Sequence, residues 1–163
     1  MKTLDVEIAM IKTLDHRTNM IVPNVSFGIW FPGYGALHEC DLLMLNPRGY
    51  ATEIEIKVSK SDLLKDKKKK HTHDHQAIKN LYYAVPVKLK EVALKEIPER
   101  AGLYIIHEDP DNFIYAELVR YCKPISKPIK WTDEYRIKLG RLGTMRILLL
   151  KEKLTKLYKE KNK

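Results

Sequence analysis

Cysteine is scarce in this chain, with two among 163 residues, Cys40 and Cys122, far apart. That count excludes a disulfide framework and a Cys-x-x-Cys metal site, and it points to a reducing, intracellular compartment. Long apolar runs are absent too. The ILLL run at 147–150 is bracketed by Arg146 and Lys151, far short of the roughly 20 residues a membrane span requires. The first residues carry no extended apolar core of the signal-peptide kind. The expectation is a cytoplasmic protein that engages no membrane. Acid is the minority charge: 30 Lys and Arg stand against 21 Asp and Glu, a formal net charge of +9. Such an excess suits an anionic partner, nucleic acid first, although it also serves solubility alone. Hydrophobic residues make up 44%, enough for a real core. No internal repeat and no second domain is visible. The expected organisation is a single domain over 1–150 and a basic helical tail over 151–163.

The hydrophobic pattern predicts an α/β fold. Residues 3–15 read as a helix with Leu4, Ile8, Ile11 and Leu14 on one stripe and Glu7 inside it. A carboxylate on a buried face needs a partner, and a basic residue at the core edge is the plain choice. MIVPNVSFGIWFPGYG (20–35) reads as a strand with turns, Pro23 suiting an edge or a bulge. ALHECDLLMLN and YATEIEIKVS read as second and third strands joined by the PRGY turn at 47–50, so the three form an antiparallel meander. A helix follows from SKSDLLKD, with Ser59 and Asp62 spaced as a capping box. Then come strand NLYYAVPVKL, helix KEVALKEIPER, strand AGLYIIHED and strand NFIYAELVRYC. From Thr132 onward the pattern is helical, with Leu139, Leu142, Met145, Leu149 and Leu150 able to line one face.

The stretch TEIEIKVSKS (52–61) carries the chemistry. Alternate strand residues share a face, so Ile54, Ile56 and Val58 turn to the core while Glu53, Glu55 and Lys57 turn the other way. In HECDLLML, Glu39, Asp41 and Leu43 share one face, and Cys40, Leu42 and Met44 the other. The PRGY turn brings Asp41 beside Glu55, with Lys57 one step along. Two close carboxylates repel unless something neutralises them. Mg²⁺, or Mn²⁺ in its place, accepts such oxygen ligands together with water and phosphate, and the Ile56 carbonyl is a candidate extra ligand. A metal-activated water beside an ammonium can hydrolyse phosphodiesters. Glu53 is read as sitting at the outer end of the strand, paired with a lysine.

An Asp near a strand end, a turn, then Glu-x-Lys on the next strand resembles the PD-(D/E)xK nuclease superfamily. Over Glu39–Ile106, CDLLMLNPRGYATEIEIKVSKSDLLKDKKK, LYYAVP and AGLYII resemble the MmcB-like, DNA-repair-associated branch of that superfamily. Cys40 stands where that superfamily's pattern has proline. The resemblance implies a restriction-endonuclease-like αβββαβ core, a mixed central sheet flanked by helices, and a C-terminal helix. It implies a Mg²⁺- or Mn²⁺-dependent deoxyribonuclease serving DNA repair or mobile-element DNA, with Asp41, Glu55 and Lys57 as catalytic residues and Glu7 assisting at the metal. The alternative is a DNA-binding module of the same fold without turnover.

DNA is the expected partner. RNA stays open because nothing in the sequence discriminates a 2′-hydroxyl, and the apolar C-terminal helix leaves a homodimer open. Lys60, Lys65, Lys68, Lys69, Lys70 and Gln76 are candidate nucleic-acid contacts, since phosphate neutralisation supplies most nonspecific affinity; the lysine run also reads as a solvated helix end. HTHDH (71–75) falls one residue short of an HxHxDH metal pattern. It is read as a solvated loop suited to phosphate rather than metal. Trp30, Phe31 and Tyr34 are read as core or lid residues rather than base-stacking platforms.

Overall fold

The computed structural model describes residues 1–25, 29–66 and 73–161. The chain runs α1 (Thr3–Thr13), β1 (Met20–Val25), β2 (Trp30–Phe31), β3 (Gly35–Ala36), β4 (Cys40–Leu45), β5 (Ala51–Ile56) and α2 (Lys60–Asp66). It continues with β6 (Ile78–Pro86), a 3-10 turn (Val87–Leu89), α3 (Lys90–Glu96), β7 (Gly102–Glu108), β8 (Ile114–Arg120) and α4 (Asp133–Lys161). Six strands form one mixed sheet in the order β1-β4-β5-β6-β7-β8, and β2 and β3 form a separate small hairpin. The expected mixed α/β architecture, with flanking helices and a C-terminal helix, is present. The three-stranded antiparallel unit is β1, β4 and β5, with the β2–β3 hairpin inserted before β4.

Local chemistry sets these elements. Pro23 lies in β1, an edge strand, and the next residue, Asn24, takes a positive φ of 50°. Proline is tolerated there because an edge strand leaves one side of its ladder unpaired. The turn before β5 closes with Gly49 N–H donating to Asn46 O at 3.0 Å, and Gly49 has φ +87°. A Cβ at Gly49 would meet Trp131 O at 3.0 Å, so both the backbone angle and the close approach demand glycine. The Asp62 N–H donates to Ser59 Oγ at 3.2 Å, which caps α2 as the spacing implied. β5 pairs parallel with β6, and β6 with β7; α2 and α3 supply the crossovers that parallel pairing requires.

The sheet is covered on both faces. Leu63 of α2 and Ala93 of α3 pack on Leu81, Tyr83, Val85 and Leu103. On the opposite face, Val6, Ala9 and Met10 of α1 pack on Leu42, Ile54, Ile56 and Ala84. The stripe expected on α1 is therefore displaced. Leu4 and Ile8 are exposed, and the smaller residues Val6 and Ala9 meet the sheet. The helix is apolar around more than half its circumference, and the small side chains let it approach the strands closely. The expected face of α4 changes as well. Leu139 is buried and Leu142 packs against the core, whereas Met145, Leu149 and Leu150 are exposed. α4 docks through its first turns, with Arg136 donating to the Asn46 and Pro47 carbonyls and Gly143 set against Val22. Its later turns extend as unbroken helix through Lys161.

Candidate functional site

β5 positions the site. All six of its residues are buried, because β4 and β6 flank it and helices lie on both faces. The alternation expected from its sequence is present. Ile54 and Ile56, with Val58 just beyond, join the α1 side, and Glu53, Glu55 and Lys57 are all buried. β4 pairs with β5 through Leu42–Ile54 and Leu43–Glu53; continuing that register brings Asp41 beside Glu55. Strict alternation fails at the start of β4, however. Cys40 lies in the same cluster as Leu43 rather than with Leu42, so the expected common face of Cys40, Leu42 and Met44 is not formed. The positive-φ Asn24 on the neighbouring strand lies between the pairs Pro23–Leu42 and Val25–Cys40.

Asp41, Glu55 and Lys57 converge. The Lys57 Nζ donates to Glu55 Oε2 at 2.5 Å and to Asp41 Oδ2 at 3.2 Å. Asp41 Oδ2 also accepts from the Ile56 backbone N–H at 2.9 Å. Lys57 and Glu55 are almost fully buried, while the Asp41 side chain is 38% exposed. Asp41 therefore forms the solvent-facing side of the group. Burial pushes the Glu55 carboxyl up; the Lys57 ammonium opposes it, and the charges on Asp41 and Glu53 add to the rise. The result is about 7. Glu7, half-buried on α1, is also raised, first by burial and then by the charge of Asp41. That coupling places Glu7 in the electrostatic field of the site.

Glu53 departs from expectation. It is wholly buried and pairs with two histidines rather than a lysine. His38 Nε2 lies 2.7 Å and His73 Nδ1 2.9 Å from Glu53 Oε1. Burial alone would raise this carboxyl, but the hydrogen bonds from His38 and His73 win and hold it down to about 2. A strand flanked on both sides has no outer end for a lysine to reach, so histidines from neighbouring loops fill the role. His73 is buried, which overturns the reading of HTHDH as wholly solvated. Arg100 secures it by donating to the His73 carbonyl and pairing with Asp74 at 2.9 Å. His38, Cys40 and Glu53 bring ligand atoms within 4.8 Å of one another, and so do Glu53, Glu55 and His73. Both triads could hold a metal ion. The signal for the first lay in His38-x-Cys40 ahead of Asp41; the second joins residues too far apart in sequence to be paired by spacing.

Of the candidate nucleic-acid contacts, Lys60 and Lys65 are exposed on α2. Lys68, Lys69 and Lys70 lie outside the described residues. Gln76, with its amide turned to donate, lies 3.2 Å from the Ser126 and Lys127 carbonyl oxygens, a tie to the 126–127 segment. Phe31 is core, stacked on Tyr135 at 4.4 Å between ring centres, whereas Trp30 and Tyr34 are exposed.

No described helix is long and apolar enough to cross a membrane. No family model matches the chain, and no curated protein matches it. Among solved structures, SPO1766, a protein of unknown function from Silicibacter pomeroyi, is similar with a TM-score of 0.58 at 20% identity, over 92% of this chain and 88% of that one. At that identity the likeness concerns the fold, and six strands with flanking helices are what it supports.

Proposed function

We propose that the chain is a Mg²⁺- or Mn²⁺-dependent nuclease of the PD-(D/E)xK type acting on DNA, of the kind the MmcB-like proteins resemble. One observation carries the reading: the Lys57 ammonium lies between Asp41 and Glu55, within 3.2 Å of one and 2.5 Å of the other. A positive charge already occupies the point where the two carboxylates meet. Glu7 lies in the field of Asp41, and carboxylates gathered this way suit a hard divalent cation. Asp41 and Glu55 would hold that cation, with the Ile56 carbonyl and Glu7 as further ligands. Once bound, it supplies a water of lowered pKa and neutralises phosphate charge.

The chain's own groups divide the remaining work. Asp41, the exposed member, meets solvent and substrate first. Lys57, freed from part of its pairing, orients the attacking water or stabilises the charge developing on phosphorus. Lys60 and Lys65 lie at the start and in the last turn of α2, the helix that follows β5, where they would hold the DNA backbone. The experiment is cleavage of circular and linear, single- and double-stranded DNA with Mg²⁺ or Mn²⁺, alongside Glu55→Ala, Lys57→Ala and an EDTA blank. Cleavage by wild type alone, lost with EDTA, supports the nuclease. Salt-sensitive binding without cleavage in any condition supports the turnover-free module instead, and cleavage of an added RNA substrate alone reassigns the substrate.

A further inference from the structure

We propose that His38, Cys40, Glu53 and His73 form a second cation site, for a zinc-class transition metal, beside the carboxylate site of Asp41 and Glu55. The donor set is two imidazole nitrogens, one thiol sulfur and one carboxylate oxygen. Zinc favours four ligands of these types, and soft nitrogen and sulfur donors discriminate against Mg²⁺. The donors gather as two triads that share Glu53, His38 and Cys40 with it in one and His73 and Glu55 with it in the other. Both histidines approach the same Glu53 oxygen, and their rings stand 5.2 Å apart, nearly perpendicular at 87°. Cys40 joins His38 and Glu53 with ligand atoms within 4.8 Å.

The unsatisfied side of Glu53 favours a metal over a bare hydrogen-bond network. Glu53 is 0% exposed, and a buried carboxylate without compensating positive charge is costly. Lys57 is engaged with Asp41 and Glu55. Glu53 meets the two imidazoles through one oxygen, Oε1. Its other oxygen, Oε2, accepts no hydrogen bond among the described residues. A divalent cation would satisfy the carboxylate and turn the four donors inward.

Binding is an exchange in which every proton is accounted for. The Cys40 thiol, which now donates to the His38 carbonyl at 3.5 Å, loses its proton to solvent and binds as thiolate. His38 Nε2 and His73 Nδ1 release to solvent the protons they share with Glu53 Oε1 and bind through lone pairs, each ring holding one proton on the opposite nitrogen, taken up from solvent where it was absent. His38, 11% exposed at its side chain, marks the route of entry. The cation would pin the 73–74 segment to β5 and fix the strand that bears Glu55.

The test is metal content of the full chain purified without chelator, then replacement by Co²⁺ and absorption spectroscopy. The expected result is about one Zn²⁺ per chain. The Co²⁺ form should show strong visible bands of low-symmetry, four-coordinate cobalt and a near-ultraviolet sulfur-to-cobalt band. Cys40→Ser, close in size, should lose the sulfur band and keep visible absorption. His38→Ala should weaken Zn²⁺ binding at least about tenfold. Asp41→Asn should leave the spectrum unchanged, which separates this site from the nuclease proposal. A folded wild type that binds neither metal at micromolar concentration overturns the site. So does a spectrum with only the weak bands of six-coordinate, all-oxygen cobalt, or a sulfur band that survives in Cys40→Ser.

Discussion

Glu53 and Glu55 stand two residues apart on one face of β5, both buried, and their surroundings drive them in opposite directions. Two histidines hold Glu53 well below the usual carboxylate range, at about 2, while burial beside other acids raises Glu55 to about 7. A single strand thus carries one carboxylate kept ionised and one poised to take a proton near neutrality. Divergent neighbours of this kind divide the work of an acid–base or metal site.

These two shifts have opposite linkage signs in metal-free protein. Glu55, raised above its unfolded value of 4.5, contributes stability that is present below pH 4.5 and lost as pH rises through 7. Glu53, depressed, contributes stability present above pH 4.5 and lost as pH falls from there toward 2. In EDTA, Glu55→Gln should raise the melting temperature relative to wild type at pH 8 and lose that advantage at pH 5. Glu53→Gln should lower it at both. Thermal melts across pH 4–9 (roughly the span of the two transitions) check both signs.

Cleavage at limiting Mg²⁺ should rise through about pH 7, because Glu55 must lose its proton to bind a cation. Saturating Mg²⁺ should move the rise to lower pH, since the metal competes with the proton. A pH–rate profile that stays put at both metal concentrations removes Glu55 from the ligand set.

Lys57→Met keeps the side chain's bulk and removes the ammonium bonded to Asp41 and Glu55. At pH 8 it should cost about 3–5 kcal/mol, as expected when one partner leaves a buried ion pair. The cost should shrink at pH 6, where Glu55 protonates. Cleavage should fall at least about 100-fold at saturating metal. Denaturant titrations at the two pH values measure the first effect, and single-turnover kinetics the second.

Arg100→Ala removes the donor to the His73 carbonyl and the partner of Asp74. It should destabilise the protein by about 1–2 kcal/mol. The effect should reach Glu53 through His73, so hydrogen exchange at the amides of residues 73–77 should accelerate together with that of Thr52 and Glu53. Acceleration confined to the loop rejects the coupling.

Leu154→Lys and Leu157→Lys alter exposed positions on the late turns of α4. Each should change stability by less than about 0.5 kcal/mol if this segment is solvated in the working protein. A larger loss that depends on protein concentration would mark these turns as a contact between copies. Sedimentation of wild type and variants distinguishes the two.

Much of the architecture was legible in local pattern. The Glu-x-Glu-x-Lys alternation forecast which side of β5 carries charge, because a strand repeats every two residues. Ser59 and Asp62 forecast the start of α2, since capping is chemistry within one turn. The convergence of Asp41, Glu55 and Lys57 was legible because a short turn joins their strands, so sequence spacing nearly fixes spatial separation.

Tertiary structure decided the rest. α1 is apolar over so much of its surface that periodicity left its buried side open, and close packing on the sheet selected Val6, Ala9 and Met10. α4 carries apolar residues on more faces than β1 and its surroundings cover, so only docking determined that Leu139 is buried while Leu150 is exposed. The partners of Glu53 come from 15 residues before it and 20 after it. No local rule links residues at those separations. It is the enclosure of β5 by β4, β6 and the helices that denies Glu53 a lysine at a strand end and brings His38 and His73 to it.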